Sequence, residues 1–148
     1  MSSTHSSLHY HFVFSTKNRE RTLSAHIRAR VHEYLGGAIR TLHGVAHAVG
    51  GTADHIHIFA GLPPGESPAG VMRSIKSESS VWIKRELGIR EFAWQEGYGA
   101  FTVSASLIKR VTNYVLNQEE HHRVKSFQEE YLEMLKNGLV EFDDRYLW

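Results

Sequence analysis

Residues 53–62 read ADHIHIFAGL, and within them two histidines alternate with two isoleucines. Successive side chains of a β-strand point to opposite faces of its sheet. If this stretch is a strand, Ile56 and Ile58 enter a core while His55 and His57 stand together on the opposite face. That face is then either ordinary polar surface or a place where two imidazoles are aimed at one point.

The composition is that of one globular domain spanning residues 1–148. Hydrophobic residues make up 41% of the chain and charged residues 22%, which is ordinary for such a domain. No apolar run approaches the roughly 20 residues that cross a bilayer, and the N-terminus lacks the pattern of a secretory signal. The absence of cysteine excludes disulfides and thiolate metal sites and suits a reducing compartment. We therefore expect a cytoplasmic protein.

The net charge of +1 conceals an asymmetry along the chain. Residues 1–125 hold 15 Lys and Arg against 10 Asp and Glu, whereas residues 126–148 hold 2 against 6. A basic body with an acidic tail is compatible with a polyanionic partner, because lysine and arginine hold phosphates. Many proteins with such a balance never contact nucleic acid, so the charge alone does not choose the partner.

Apolar periodicity predicts four strands and four helices. The strands are expected at residues 8–16, 45–50, 54–61 and 99–104. Serines at N-cap positions predict where the helices begin. The helices are expected from Ser24 to Gly44, from Ser67 to just before Gly88, over 106–122, and over an acidic tail that begins at Ser126.

The order β-α-β-β-α-β followed by helices predicts an α+β fold of the ferredoxin-like, split βαβ type. Both connecting helices then cover one face of an antiparallel sheet and leave the other face free. The first and third strands are the central neighbours in this fold. We therefore expect His9 and His11 beside His55 and His57 on one exposed surface.

A third candidate ligand lies on the third predicted helix. Tyr114 and Gln118 are four residues apart, which places them one turn apart on the same side. Without other evidence, Tyr114 is interpreted as an aromatic residue at the edge of the hydrophobic core, and Gln118 as a solvent-exposed neighbour. Next to the histidine pair, they read as a phenol and a carboxamide that can join one site.

With these residues the chain resembles the single-tyrosine HUH transposases, insertion-sequence enzymes that move single-stranded DNA, and their relatives that act on repetitive palindromes. The U denotes a hydrophobic residue, here Ile56. The likeness runs through YHFVFSTKNR (10–19), GGTADHIHIFAGL (50–62), SIKSESSVWIK (74–84), FAWQEGYGAFTVS (92–104), VTNYVLNQEEHH (111–122) and the closing EFDDRYLW (141–148).

The resemblance implies a function and a role for each motif residue. His55, His57 and Gln118 are expected to ligate a divalent cation, Mg²⁺ or Mn²⁺, and Tyr114 is expected to be the nucleophile. The implied activity is cleavage and rejoining of hairpin-bearing single-stranded DNA through a 5′-phosphotyrosine. The resemblance also implies a homodimer in which the tyrosine helix of one subunit completes the histidine site of the other.

Basic residues outside the motif are candidates for DNA contacts: Lys17, Arg19, Arg21, Arg73 and Lys76. Three other functions fit parts of the sequence. A histidine-triad nucleotide hydrolase would need a third histidine where Phe59 stands. A non-catalytic nucleic-acid-binding domain of this fold class would stack bases on exposed aromatics, and a host-adopted enzyme would process repeated palindromes with the same site.

Overall fold

The strands and helices follow the predicted order. A computed structural model describes residues 3–143, 145 and 147. Along the chain the elements are β1 (His9–Ser15), α1 (Ala25–Thr41), β2 (Val45–Gly51), β3 (His55–Gly61), α2 (Pro68–Glu86), β4 (Gly99–Val103), α3 (Ile108–Leu116), α4 (Gln118–His121) and α5 (Phe127–Asn137). Of the closing segment 141–148, residues 144, 146 and 148 lie outside this description.

The four strands form one antiparallel sheet in the order β2-β3-β1-β4. This confirms the ferredoxin-like arrangement with the first and third strands at the centre. Val13 of β1 pairs with His57, Ser15 pairs with His55, and His11 pairs with Phe59. Because directly opposed residues share a face, the histidines of both central strands lie on the same side.

Helices α1 and α2 cover the apolar face of the sheet. Phe12, Phe14, Ile56 and Ile58 are fully buried there among residues of both helices. Ser67 caps α2, since its Oγ accepts the Gly70 N–H at 3.0 Å. This core fixes the face on which β3 must present its histidines.

The opposite face of the sheet is not free, and the expectation of an exposed histidine surface was wrong. Helix α3 packs on β2 and β3, and apolar side chains of α5, among them Phe127 and Tyr131, pack around Val13. His55 and His57 are each 0% exposed. The sequence pattern did not show this because α5 returns across the sheet through a chain reversal.

The predicted helix over 106–122 is interrupted at Asn117. Its backbone leaves helical geometry at φ −105° and ψ 32°, so that α3 ends at Leu116 and the short α4 begins at Gln118. The Asn117 side chain donates to the Asn113 carbonyl at 2.7 Å. Asparagine side chains compete for backbone groups in this way and weaken helix interiors. The break redirects the chain toward the reversal that precedes α5.

Gly50 of β2 lies against α3, and a Cβ atom there would overlap the Val115 carbonyl oxygen. We expect Gly50→Ala to lower the free energy of unfolding by about 1–3 kcal/mol, the usual cost of overpacking. Thermal unfolding followed by circular dichroism measures this loss. Gly65→Ala is the matched control, because nothing lies within 4 Å of its added Cβ. Equal melting temperatures for the two variants would contradict the close approach.

Within the described residues, no helix has both the length and the apolar character needed to cross a membrane.

Candidate active site

Strand β3 aims both predicted histidines at the space between the sheet and α3–α5. His55 holds its ring through Nδ1, which donates to Asp54 Oδ1 at 2.8 Å and also lies 3.1 Å from Thr52 Oγ1. This contact leaves Nε2 facing the interior of the site. A carboxylate behind an imidazole is the usual support of a metal-binding histidine.

His57 lies between a second histidine and a carboxylate. Its Nε2 lies 3.0 Å from Glu130 Oε1, and its Nδ1 lies 2.7 Å from His11 Nε2. Burial lowers the pKa of His57 to about 4, against the opposing effect of Glu130. Burial and the neighbouring His57 lower the pKa of His11 to about 3. Both imidazoles are therefore neutral near pH 7, as ligation of a metal requires.

The predicted glutamine joins this cluster. Gln118 is 1% exposed, and its Nε2 donates to the Tyr114 carbonyl at 3.2 Å. That bond directs Oε1 toward the histidines, 3.2 Å from His55 Nε2. The helix break at Asn117 thus leaves Tyr114 and Gln118 on the same side, as their spacing predicted.

The Tyr114 hydroxyl reaches the same cluster within the same chain. It donates a short hydrogen bond to Glu130 Oε2, and its ring lies edge-on to His57 with centroids 5.8 Å apart. Burial and the Glu130 carboxylate both raise the pKa of Tyr114 well above its ordinary value. The phenol is therefore protonated at neutral pH and keeps its hydroxyl beside the histidines.

Two residues of the site were missed by the sequence analysis. His122 Nε2 lies 2.9 Å from Gln118 Oε1 and 3.1 Å from His55 Nε2. Glu130 is 2% exposed. In the sequence, the sole indication of these two residues is the number of histidines and glutamates that follow Tyr114. That composition does not show which of the side chains turn toward the site.

Together, His55, His57, His122 and Glu130 form a group of potential metal ligands. Their donor atoms all lie within 4.8 Å of one another. Burial by itself would raise the pKa of Glu130, but hydrogen bonds from His122 and His57 hold it well below its usual range. The group therefore contains an ionised carboxylate among imidazoles, a donor set that suits a divalent cation.

The basic residues predicted to contact DNA lie outside this cluster. Lys17 and Arg19 belong to a single turn after β1, and Arg21 follows it. Arg73 and Lys76 line a groove on α2 beside residues 93–96, and Lys17 lines a neighbouring groove along 93–97.

Lys76 has structural partners, because its Nζ donates to the carbonyls of Gln95, Glu96 and Gly97 at 2.6, 3.1 and 2.8 Å. Burial lowers the pKa of Lys76 to about 8, against the opposing charge of Glu96. The Lys76 side chain thus fixes the loop that both grooves share.

These features define a class of α+β proteins in which a tyrosine hydroxyl lies beside a metal-type histidine cluster on a ferredoxin-like sheet. Residues 4–118 match the family described as Transposase IS200 like, so the chain belongs to this family. The resemblance to single-tyrosine HUH transposases is thereby confirmed. Membership implies a DNA-cleaving enzyme of DNA transposition.

Individual relatives agree with this assignment. The chain is 26% identical over 121 residues to the transposase for insertion sequence element IS200 of Salmonella typhimurium, covering 78% of this chain and 79% of the relative. The corresponding Salmonella typhi transposase matches equally.

Two solved structures share the fold. A presumed transposase from Deinococcus radiodurans R1 superposes with a TM-score of 0.66 at 18% identity, covering 80% of this chain and 95% of that one. A REP-associated tyrosine transposase bound to a REP hairpin gives 0.55 at 16% identity, covering 95% and 76%.

Proposed function

We propose that this transposase cleaves and rejoins single-stranded DNA at hairpin-flanked element ends, through a 5′-phosphotyrosine on Tyr114. One observation carries the proposal. The Tyr114 hydroxyl is hydrogen-bonded to a buried carboxylate that is itself bonded to His57 of the strand pair. A phenol so placed has a polar, preorganised environment in which a phosphate can be attacked.

The reaction is a transesterification that conserves the phosphodiester bond energy. The phenolic oxygen of Tyr114 forms a bond to the scissile phosphorus as the bond from phosphorus to the 3′-oxygen breaks. The phenolic proton leaves along the hydrogen bond to Glu130, and the departing 3′-oxygen takes a proton from solvent. A second 3′-hydroxyl reverses these steps at a new junction, because the covalent ester retains the energy of the original bond.

His55, His57 and Gln118 are the residues that would hold a divalent cation, Mg²⁺ or Mn²⁺. Two observations support binding of a cation by these residues. Their donor atoms lie close together, and the Nδ1 of His55 is held by the Asp54 carboxylate. A bound cation supplies charge neutralisation at the phosphate oxygens and fixes the phosphate for attack. The two imidazoles and the Gln118 amide already face the same space, so binding requires little rearrangement of these side chains.

The DNA partner is proposed to be a hairpin with an adjacent single strand. A structural relative is bound to a REP hairpin, and the two grooves along 93–97 are lined by Lys17, Arg73 and Lys76. Arginine and lysine in such grooves neutralise phosphates without reading bases. Because Lys76 is committed to three carbonyls, Lys17 and Arg73 are the stronger candidates for phosphate contacts.

Homodimerisation stays a prediction. A second subunit is not needed to bring the residues of the candidate site together. Tyr114 lies beside the histidines of its own chain. The apolar residues Phe127, Tyr131 and Leu135 of α5 pack on the sheet of their own chain. We propose that one chain holds a complete site, whatever its oligomeric state.

The test is covalent capture of DNA. The purified protein is incubated with Mn²⁺ and a panel of labelled single strands that carry hairpins of different loop and stem sequence. We expect a protein–DNA band that survives denaturation with at least one strand and is lost on chelation of the metal. Hairpin binding that is independent of metal and yields no such band on any strand would instead identify a non-catalytic nucleic-acid-binding domain.

A further inference from the structure

The family match ends at residue 118, yet the buried cluster continues beyond it. We propose that His122 and Glu130 are metal ligands, so that the segment 119–137 completes the cation site begun by His55, His57 and Gln118. This inference rests on the proposed function, because it concerns the same site. It assigns metal ligation to a part of the chain that the family match does not cover.

The spacing of the donor atoms is the first argument. His122 Nε2 lies 3.1 Å from His55 Nε2, 2.9 Å from Gln118 Oε1 and 3.4 Å from Glu130 Oε1. Glu130 Oε1 in turn lies 3.0 Å from His57 Nε2. Adjacent ligands of an octahedral ion with bonds of about 2.1 Å are about 3.0 Å apart, and opposite ligands about 4.2 Å. The separations up to 4.8 Å within the group fit that frame after small adjustments.

The orientation of His122 is the second argument. Its Nδ1–H donates to the Lys125 carbonyl at 2.6 Å, so that Nε2 points at His55 and Gln118. His55 is held in the same way, through its Nδ1–H and Asp54. Histidine ligands of metals are oriented by such bonds from their second nitrogen to a carboxylate or a backbone carbonyl. Two imidazoles on different elements thus have the same support and face the same point.

Glu130 provides the third argument, because its two oxygens face different partners. Oε1 faces His57 and His122, whereas Oε2 accepts the Tyr114 hydroxyl. Buried carboxylates are paired or coordinate metals. With Oε1 on the ion, Oε2 holds the nucleophile beside it, so Glu130 also acts as a positioning residue for Tyr114.

A site with three imidazoles has a definite metal preference. Imidazole nitrogen favours later divalent transition metals over Mn²⁺, but Mg²⁺ discriminates against nitrogen still more strongly, because it prefers oxygen ligands and retains its water. We therefore expect the metal-free protein to bind Mn²⁺ at least about tenfold more tightly than Mg²⁺ in isothermal titration calorimetry. Equal affinities would contradict the three-imidazole site.

The direct test counts the ligands of Mn²⁺ bound to the full-length protein without DNA. In pulsed electron paramagnetic resonance of protein labelled with ¹⁵N-histidine, we expect three directly bound imidazoles. Protein labelled with ¹³C at the glutamate carboxyl carbon should show one strong carboxyl coupling. Two imidazoles, or no carboxyl coupling, in the wild-type protein would overturn the corresponding assignment, and neither measurement depends on a variant that folds.

Variants provide the second readout. His122→Asn should leave two bound imidazoles, and both His122→Asn and Glu130→Gln should weaken Mn²⁺ binding at least about tenfold. The controls are His26→Asn, on the exposed start of α1, and Glu129→Gln, the exposed neighbour of Glu130. Affinities equal to those of the controls would overturn the proposal.

The two proposals fail separately. A covalent DNA adduct with only two bound imidazoles would refute the ligand role of His122 and leave the transposition chemistry standing. Three bound imidazoles without any adduct would refute the proposed chemistry and leave the metal site standing.

Discussion

Tyr114→Phe is expected to abolish the covalent protein–DNA adduct and to reduce strand cleavage by about 10⁴-fold or more, as loss of a covalent nucleophile does. The phenylalanine ring keeps the shape of the side chain but has no oxygen to form the ester. Attack by the phenol leaves the phosphate on the 3′-side fragment. A label at the 3′ end of the strand should therefore enter the adduct, and a label at the 5′ end should stay on the released fragment.

Tyr34→Phe is the matched control for this experiment. Tyr34 stacks on Trp82 on the helical side of the molecule, with ring centroids 4.5 Å apart, and its loss should leave the adduct unchanged. An adduct that persists at the wild-type level in Tyr114→Phe would place the nucleophile on another residue. A 5′-end label in the adduct would reverse the proposed polarity of cleavage.

His57→Ala should have the second largest effect, a loss of cleavage of about 10³-fold, or about 4 kcal/mol of transition-state stabilisation. The imidazole is fully buried and contacts both His11 and Glu130. Its removal deletes a proposed ligand and leaves the Glu130 carboxylate with one partner fewer. Single-turnover cleavage of the labelled strand at saturating Mn²⁺ measures the loss, and chelation of metal from the wild-type protein should match it.

His47→Ala serves as the control, because His47 bonds to His9 on the same face of the sheet and has no place in the proposed site. Cleavage by His57→Ala within about threefold of that control would argue against a catalytic metal at this cluster.

Mixing the two inactive variants separates assembly within one chain from assembly between chains. Tyr114→Phe retains the histidines, and His57→Ala retains the tyrosine. Because the structure brings these groups together in one chain, the mixture should remain inactive. Recovery of the adduct after mixing would show that subunits exchange the tyrosine helix, as the resemblance to dimeric relatives implied.

The sequence predicted the sheet well because polar and apolar side chains alternate over residues 9–12 of β1 and 55–58 of β3. When the isoleucines of a strand enter the core, the histidines between them must point to the opposite face of the sheet. The same reasoning could not foresee that the histidine face is covered. Burial of a face depends on which later segment packs over it, and the apolar residues of α5 (Phe127, Tyr131 and Leu135) fit a subunit contact or an internal contact equally well.

The sequence could not identify His122 and Glu130 as residues of the site for a related reason. A continuous helix over 106–122 would fix the direction of every side chain by a period of 3.6 residues. The interruption at Asn117 and the reversal before α5 reset that period. Glutamates 129 and 130 look equivalent in sequence, yet one is exposed and the other is buried in the site.

The side chains of β3 point alternately to the hydrophobic core and to the candidate site. This alternation limits which mutations can abolish activity without also unfolding the protein. An insertion or deletion of one residue within 55–61 would move each following side chain of the strand to the opposite face of the sheet. Isoleucines would then face the candidate site, and imidazoles would face the hydrophobic core. Such alleles should therefore yield no foldable protein. Within β3, alleles that keep a folded, DNA-binding but inert protein must therefore come from substitutions at the odd-numbered positions, where His55 and His57 stand.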